Sequence, residues 1–178
     1  MITASDLLPM SRAELIAILR DGHAIDAAAL DGYTYNGVSL GLPRLVERLT
    51  WKKFGKTFHR DPDTGVLRGW NVRMQQTPLS EPWRPKLRAG DTPVTFGHYH
   101  VVAAGGDEPY EAGLTIDYSC GGRAHSPMAR LRDPIVAVNP GSAELLLGWT
   151  YVDLGRRRLG TPSFFSLQRG DRLRYVPN

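Results

Sequence analysis

The segment Phe96-Gly97-His98-Tyr99-His100 holds the most concentrated chemistry in this chain, because two histidines two residues apart project from the same face of an extended strand. An imidazole takes up and returns protons near neutral pH, so His98 and His100 are candidate acid–base groups or polar tethers for a ligand. The same spacing suits metal ligation, which needs a third donor such as His59 or Asp117. Histidines on strands more often serve packing or the surface, and the reading adopted is a site with no metal and no cofactor. Asp117 and Tyr118 form the second candidate, in Leu114-Thr115-Ile116-Asp117-Tyr118-Ser119-Cys120. Asp117 faces away from Ile116 and Tyr118. In an apolar cavity desolvation would raise its pKa and make it a general acid or base; on an exposed face it would pair with an arginine of a neighbouring strand. Both arrangements stay open. Cys120 precedes Gly121-Gly122 without an adjacent histidine to activate it, and reads as an inert small residue.

Aromatic side chains supply the candidate ligand contacts. In Leu67-Arg68-Gly69-Trp70-Asn71-Val72-Arg73-Met74, the positions Trp70, Val72 and Met74 make one face greasy, while Leu67, Gly69, Asn71 and Arg73 share the other. The greasy face is expected to line a cavity, with Asn71 and Arg73 outside; a wet cavity would reverse that assignment. Tyr35, Tyr118 and Tyr151 combine apolar bulk with a hydroxyl that could reach a buried carbonyl. With Phe96, Trp149 and Phe165 they complete the set of expected ligand-binding residues: Tyr35, Trp70, Met74, Phe96, Trp149, Tyr151 and Phe165.

These residues need strands to hold them. Alternating patterns mark strands at about 31–40, 57–60, 66–76, 94–103, 113–120, 135–138, 144–154 and 162–169. Proline, glycine or charged residues separate them, as in the tight reversal Asp61-Pro62-Asp63-Thr64-Gly65. No helical stretch long enough for a parallel crossover follows residue 56, so the sheet is expected to be antiparallel. Two helices are predicted. Ser11-Arg12-Ala13-Glu14 reads as a capping box opening a helix over 12–21 that packs across or plugs the barrel. Pro43 with Leu42, Leu45, Val46 and Leu49 predicts a short amphipathic helix between strands one and two, running through Trp51 to Gly55. The proline-rich stretch 77–93 is the longest loop and a candidate lid. The fold class is therefore mainly β: one antiparallel up-and-down barrel of about eight strands over residues 1–178, with an N-terminal helical segment at 1–30. A sandwich is the competing architecture, and closure favours the barrel because it leaves no unpaired edge.

Composition narrows the function classes. The 178 residues are 42% hydrophobic, enough for one substantial core, and a single cysteine excludes internal disulfides and multi-cysteine metal sites. No apolar run is long enough to span a bilayer and Asp6 precedes any basic residue, so a cytoplasmic protein without a membrane span is expected. The net charge of +4 comes from basic residues interleaved with acids, and Arg156-Arg157-Arg158 follows Gly155 as a hairpin tip would. Nucleic acid is not an expected partner. Phosphate-cradling glycine loops and a nucleophile elbow are missing from the sequence.

The order of strand, short helix and successive antiparallel strands resembles the calycin group of lipocalins, fatty-acid-binding proteins and nitrobindin-like barrels. The stretch Leu145-Leu146-Leu147-Gly148 through Tyr151 to Gly155, with Phe164-Phe165-Ser166-Leu167, is similar to the last hairpin of bacterial lipocalin-like domains of the GXWXG type. In place of the lipocalin Gly-x-Trp, the first strand offers Gly32-Tyr33-Thr34-Tyr35. The resemblance implies a cavity that receives a small, largely apolar molecule, and in a minority of members an isomerisation, hydration or cyclisation; no catalytic motif carries over. The leading expectation is thus binding of a small hydrophobic or aromatic metabolite in the barrel cavity, by a monomer or homodimer. The alternative is a cofactor-free isomerase, hydratase or cyclase using His98, His100, Asp117 and Tyr118. A third possibility is a protein-interaction module presenting an apolar face or the 77–93 loop.

Overall fold

Runs of consecutive buried residues in β-strands, such as 55–58 and 145–148, show that parts of the sheet are covered on both faces. In the computed structural model, which describes residues 1–41, 52–105, 113–121 and 126–177, eight strands follow one another around a closed barrel. They are β1 (Tyr33–Leu40), β2 (Lys53–Arg60), β3 (Leu67–Arg73), β4 (Thr95–Ala103), β5 (Leu114–Asp117), β6 (Leu131–Ala137), β7 (Leu145–Asp153) and β8 (Arg158–Arg172). Each is antiparallel to the next, and β8 closes on β1 through pairs such as Gly37 with Leu167. Closure leaves no free sheet edge, which is the physical advantage of the barrel over the sandwich.

One buried cluster takes a residue from every strand: Tyr35, Phe58, Leu67, Tyr99, Ile116, Ile135, Leu146 and Phe165. That cluster is the barrel interior. Bulky rings fit there because glycines face them. A Cβ at Gly69 would run into the Thr57 carbonyl and the Tyr99 ring, and one at Gly148 into the ring of Phe165. Ile25 and Leu30 join the same cluster from the segment before β1, so this segment plugs one end of the barrel.

The opposite faces of β1, β6, β7 and β8 present Val38, Leu40, Val136, Leu145, Leu147 and Phe164 to the outside. Helix α1 (Ala4–Leu7) and helix α2 (Arg12–Arg20) cover them. α2 opens with the expected capping box: the Ser11 amide donates to Glu14 Oε2 at 2.7 Å and the Glu14 amide to Ser11 Oγ at 3.4 Å. Leu7, Leu15 and Leu19 seal this outer wall. Each fully buried leucine contributes about 1.5–3 kcal/mol. The capped helix thus packs across the barrel wall, and the end plug comes from the segment after it.

Three strands, β2, β6 and β8, start four residues before the sequence pattern places them. The helix expected between β1 and β2 falls on residues 42–51, outside the described residues, and Lys53, Phe54 and Gly55 belong to β2 instead. β6 begins at Leu131, four residues before the expected Ile135, because Pro134 and the charged pair Arg132-Asp133 imitate a turn. β8 begins at Arg158, so the tip of the last hairpin is 154–157 and the Arg158 guanidinium lies 5.5 Å from the Tyr151 ring centre.

Candidate functional site

The alternation Phe54-Gly55-Lys56-Thr57-Phe58 places Lys56 on the inward face of β2 between two phenylalanines, and the ammonium ends inside the barrel at 2% exposure. A buried ammonium is tolerated only when its donors are used. Lys56 Nζ donates to Asn71 Oδ1 at 3.0 Å, to Asp133 Oδ2 at 3.0 Å and to the Tyr118 hydroxyl. Tyr118 in turn donates to Asp133 Oδ2 at 3.0 Å, Thr150 Oγ1 to Asp133 Oδ1 at 2.7 Å, and Asn71 Nδ2 to the Gly97 carbonyl at 3.1 Å. The rings of Tyr99, Tyr118 and Phe165 lie 5.0, 5.1 and 5.3 Å from Nζ.

Burial pushes the Lys56 pKa below its ordinary value, and the adjacent Asp133 charge opposes that shift. Tyr118 is driven well above the ordinary phenol range, first by burial and then by the Asp133 carboxylate, so its proton stays on. The network joins β2, β3, β4, β6 and β7 with Tyr118 just past β5. It pins the barrel closed, and every donor of the ammonium is already engaged by the protein.

The four acid–base candidates divide between the two sides of the wall. Tyr118 lies inside with Tyr99, their rings 5.4 Å apart. Asp117 lies outside and forms the pair anticipated as one of its two readings, with Arg132 Nη1 of the neighbouring β6 at 3.2 Å. His100 stands opposite Asp117 across the β4–β5 ladder and opposite Arg68 on β3. His98 is on the same outer face, its ring 6.1 Å from Trp70, and burial followed by the Arg68 charge holds its pKa below the ordinary value. Among the described residues no group of three or more His, Cys, Asp or Glu side chains forms a metal-ligand cluster. Cys120 is exposed.

The expected ligand contacts divide as well. Tyr35 and Phe165 are interior. Trp149 and Tyr151 stack on the outside of β7, 5.7 Å apart, and Trp149 continues to Phe164. Phe96 is half-buried on β4 beside the irregular pairing at Gly97. Trp70 and Met74 point outward from β3, with Val72, into a separate apolar cluster backed by Trp83 and Leu173. The greasy face of β3 is therefore the outer one, and Asn71 is the inward residue, which is the reversed arrangement.

Over that greasy face lies a cavity of about 490 Å³. β3 supplies its floor with Trp70 and Val72, extended by Met74 just past the strand; Thr34 and Asn36 of β1 and Thr57 of β2 add polar atoms. Pro82, Trp83, Pro85 and Pro93 of the long connection form one wall, and the C-terminal residues Gly170 to Tyr175 the other. Lys53, 1% exposed, ties this connection down: its ammonium donates to Thr77 Oγ1 at 3.0 Å, the Pro78 carbonyl at 2.6 Å and the Glu81 carbonyl at 3.0 Å, and lies 4.9 Å from the Trp83 ring centre. Gln76 clamps the same point, accepting from the Lys53 amide and donating to its carbonyl. The stretch expected as a lid is anchored at its base. Proline walls and a clamped tryptophan give a groove whose shape exists before any ligand arrives.

Sequence reasoning did not select Lys56, Asp133, Thr150, Trp83 or the C-terminal arginines. A signal for the first two was present: a lysine between Phe54 and Phe58, and an aspartate between Leu131 and Ile135, each occupy the inward phase of an apolar alternation. Nothing local marks Trp83, because the partner it covers is distant in sequence. Among the described residues, no helix is long and apolar enough to cross a membrane. No protein-family model, curated protein or solved structure matches the chain.

Proposed function

We propose that this protein binds a small, flat, largely apolar molecule, an aromatic metabolite in the broad sense, in the groove between β3, the 77–93 connection and the C-terminal residues. One observation carries the reading: a preformed cavity of about 490 Å³ whose floor and wall are Trp70, Val72, Met74 and Trp83 with a few polar atoms from Thr34, Asn36 and Thr57. Its size falls in the roughly 300–1,000 Å³ range of small-molecule sites, and apolar walls with sparse polar groups are their usual lining. The barrel interior is the less favoured location, since aromatic rings and the Lys56 network occupy it and use each other's hydrogen-bonding capacity.

The neutral fluorophore N-phenyl-1-naphthylamine tests the reading. It should bind saturably at one site and quench tryptophan emission. Trp83→Ala should weaken binding about tenfold or more by removing one wall, on the scale of an interface hot spot, measured at a temperature where circular dichroism shows the variant to be folded. Unsaturable binding, or full affinity in Trp83→Ala, would sink the proposal.

A further inference from the structure

We infer that the groove selects an aromatic anion, with the ring system against the wall of Trp83 and the prolines and the negative group at the lip formed by Arg172 and Arg174. This rests on the reading that the groove binds a small molecule, and adds the chemical class of that molecule.

Basic residues outnumber acids on the two segments that wall this cavity. Arg84, Lys86 and Arg88 are exposed on the connection that walls it; Arg172 and Arg174 line its other side. Against these five stand three acids on the same segments, Glu81, Asp91 and Asp171. The two lip arginines differ in freedom. Arg172 is stacked 4.1 Å from the Tyr33 ring centre, which fixes where its charge sits, whereas Arg174 is exposed at the groove edge. Asp171 lies between the wall and the lip and offsets only one of the two cations. A concave apolar wall beside a net positive rim focuses the field on an anion, and the partly exposed indole of Trp83 with its flanking prolines favours a flat conjugated ring over an alkyl chain. A guanidinium also presents paired donors that match a carboxylate or sulfonate.

The test uses two probes that differ in the charged group alone: N-phenyl-1-naphthylamine and its 8-sulfonate, 1-anilinonaphthalene-8-sulfonate. Each is titrated into the full chain at low and at moderate salt. The sulfonate should bind about tenfold more tightly at low salt, and the advantage should shrink as salt screens the rim. Arg174→Gln should remove most of the advantage, lowering affinity for the sulfonate by a much larger factor than affinity for the neutral probe. Arg174 is chosen because Arg172 also packs on Tyr33, so its loss would confuse charge with folding. Equal affinity for both probes, tighter binding of the neutral probe, or a sulfonate preference that survives in Arg174→Gln would each overturn the inference. In the first two cases the small-molecule reading survives if Trp83→Ala still weakens binding about tenfold or more. Failure of both probes to bind at one saturable site would overturn that reading itself.

Discussion

Three consecutive residues of β3 contrast the two sides of the barrel wall. Asn71 points inward, where its amide receives the Lys56 ammonium and donates to the Gly97 carbonyl; Trp70 and Val72 point outward to the floor of the groove. Inside, charged and polar groups are present but fully engaged with one another. Outside, apolar surface is present and part of it faces open volume. A buried ion pair with satisfied partners holds strands together without offering a contact to a ligand, whereas a preformed apolar wall edged by polar side chains such as Thr34 and Asn36 offers several. The difference teaches that buried charge alone is a poor guide to a binding site in this chain.

The contrast can be broken most forcefully from the inside. Asp133→Asn leaves the Lys56 ammonium buried without its counter-charge, and should cost about 3–5 kcal/mol in denaturant unfolding. The double variant Lys56→Met with Asp133→Asn should recover at least half of that loss, because no charge is then stranded, and the coupling between the two positions is the diagnostic quantity. Equal losses in single and double variants would show that the network does not act as an ion pair. Binding of the neutral fluorophore at temperatures where the variants are folded should be unaltered.

Overpacking is the next test. Gly69→Ala puts a methyl group against the Thr57 carbonyl and the Tyr99 ring, and should cost about 1–3 kcal/mol or more, again read by unfolding. A neutral result would mean that the interior has room, which would favour the lumen as a second binding site.

Lys53→Met addresses the groove wall. It removes the donor shared by Thr77, Pro78 and Glu81, at a cost of about 1–2 kcal/mol. Limited proteolysis should then cut within 77–93 well before the barrel opens, and affinity for the fluorophore should fall. Unchanged proteolysis would show that the connection is held by other contacts.

The smallest effect is expected from pH. His98 has a folded-state pKa below the ordinary 6.5, from burial and the Arg68 charge, so its contribution to stability is present above that value. As pH falls through the range from 6.5 down to the folded value, the unfolded chain takes up a proton that the folded chain resists, and the contribution is lost. The thermal midpoint should drop modestly in that window, and His98→Gln should flatten the drop. The same titration should perturb Trp70 emission, since the two rings are 6.1 Å apart.

Much of the barrel was legible because strand periodicity is a local property. The inward residues Tyr35, Tyr99 and Ile116 alternate with outward ones, and the turn residues between strands are glycine, proline and aspartate. The strand ends were less legible where a proline or a charged residue lies inside the sheet. Pro134 and Asp133 read as a turn, yet a closed barrel gives Asp133 a lysine and two hydroxyl donors that only distant strands provide.

By itself the sequence determined the fold class, the capped N-terminal helix, and which side chains share a strand face. It could not decide which face is interior, because both faces of β3 carry plausible core residues and the hydrophobic pattern is blind to what covers it. Tertiary structure decided that the greasy face of β3 lies outside. The reason is physical: the proline-rich connection and the C-terminal residues fold back over Trp70 and shield it, while Lys56 and Asp133 meet across the lumen and make a polar Asn71 the better inward residue.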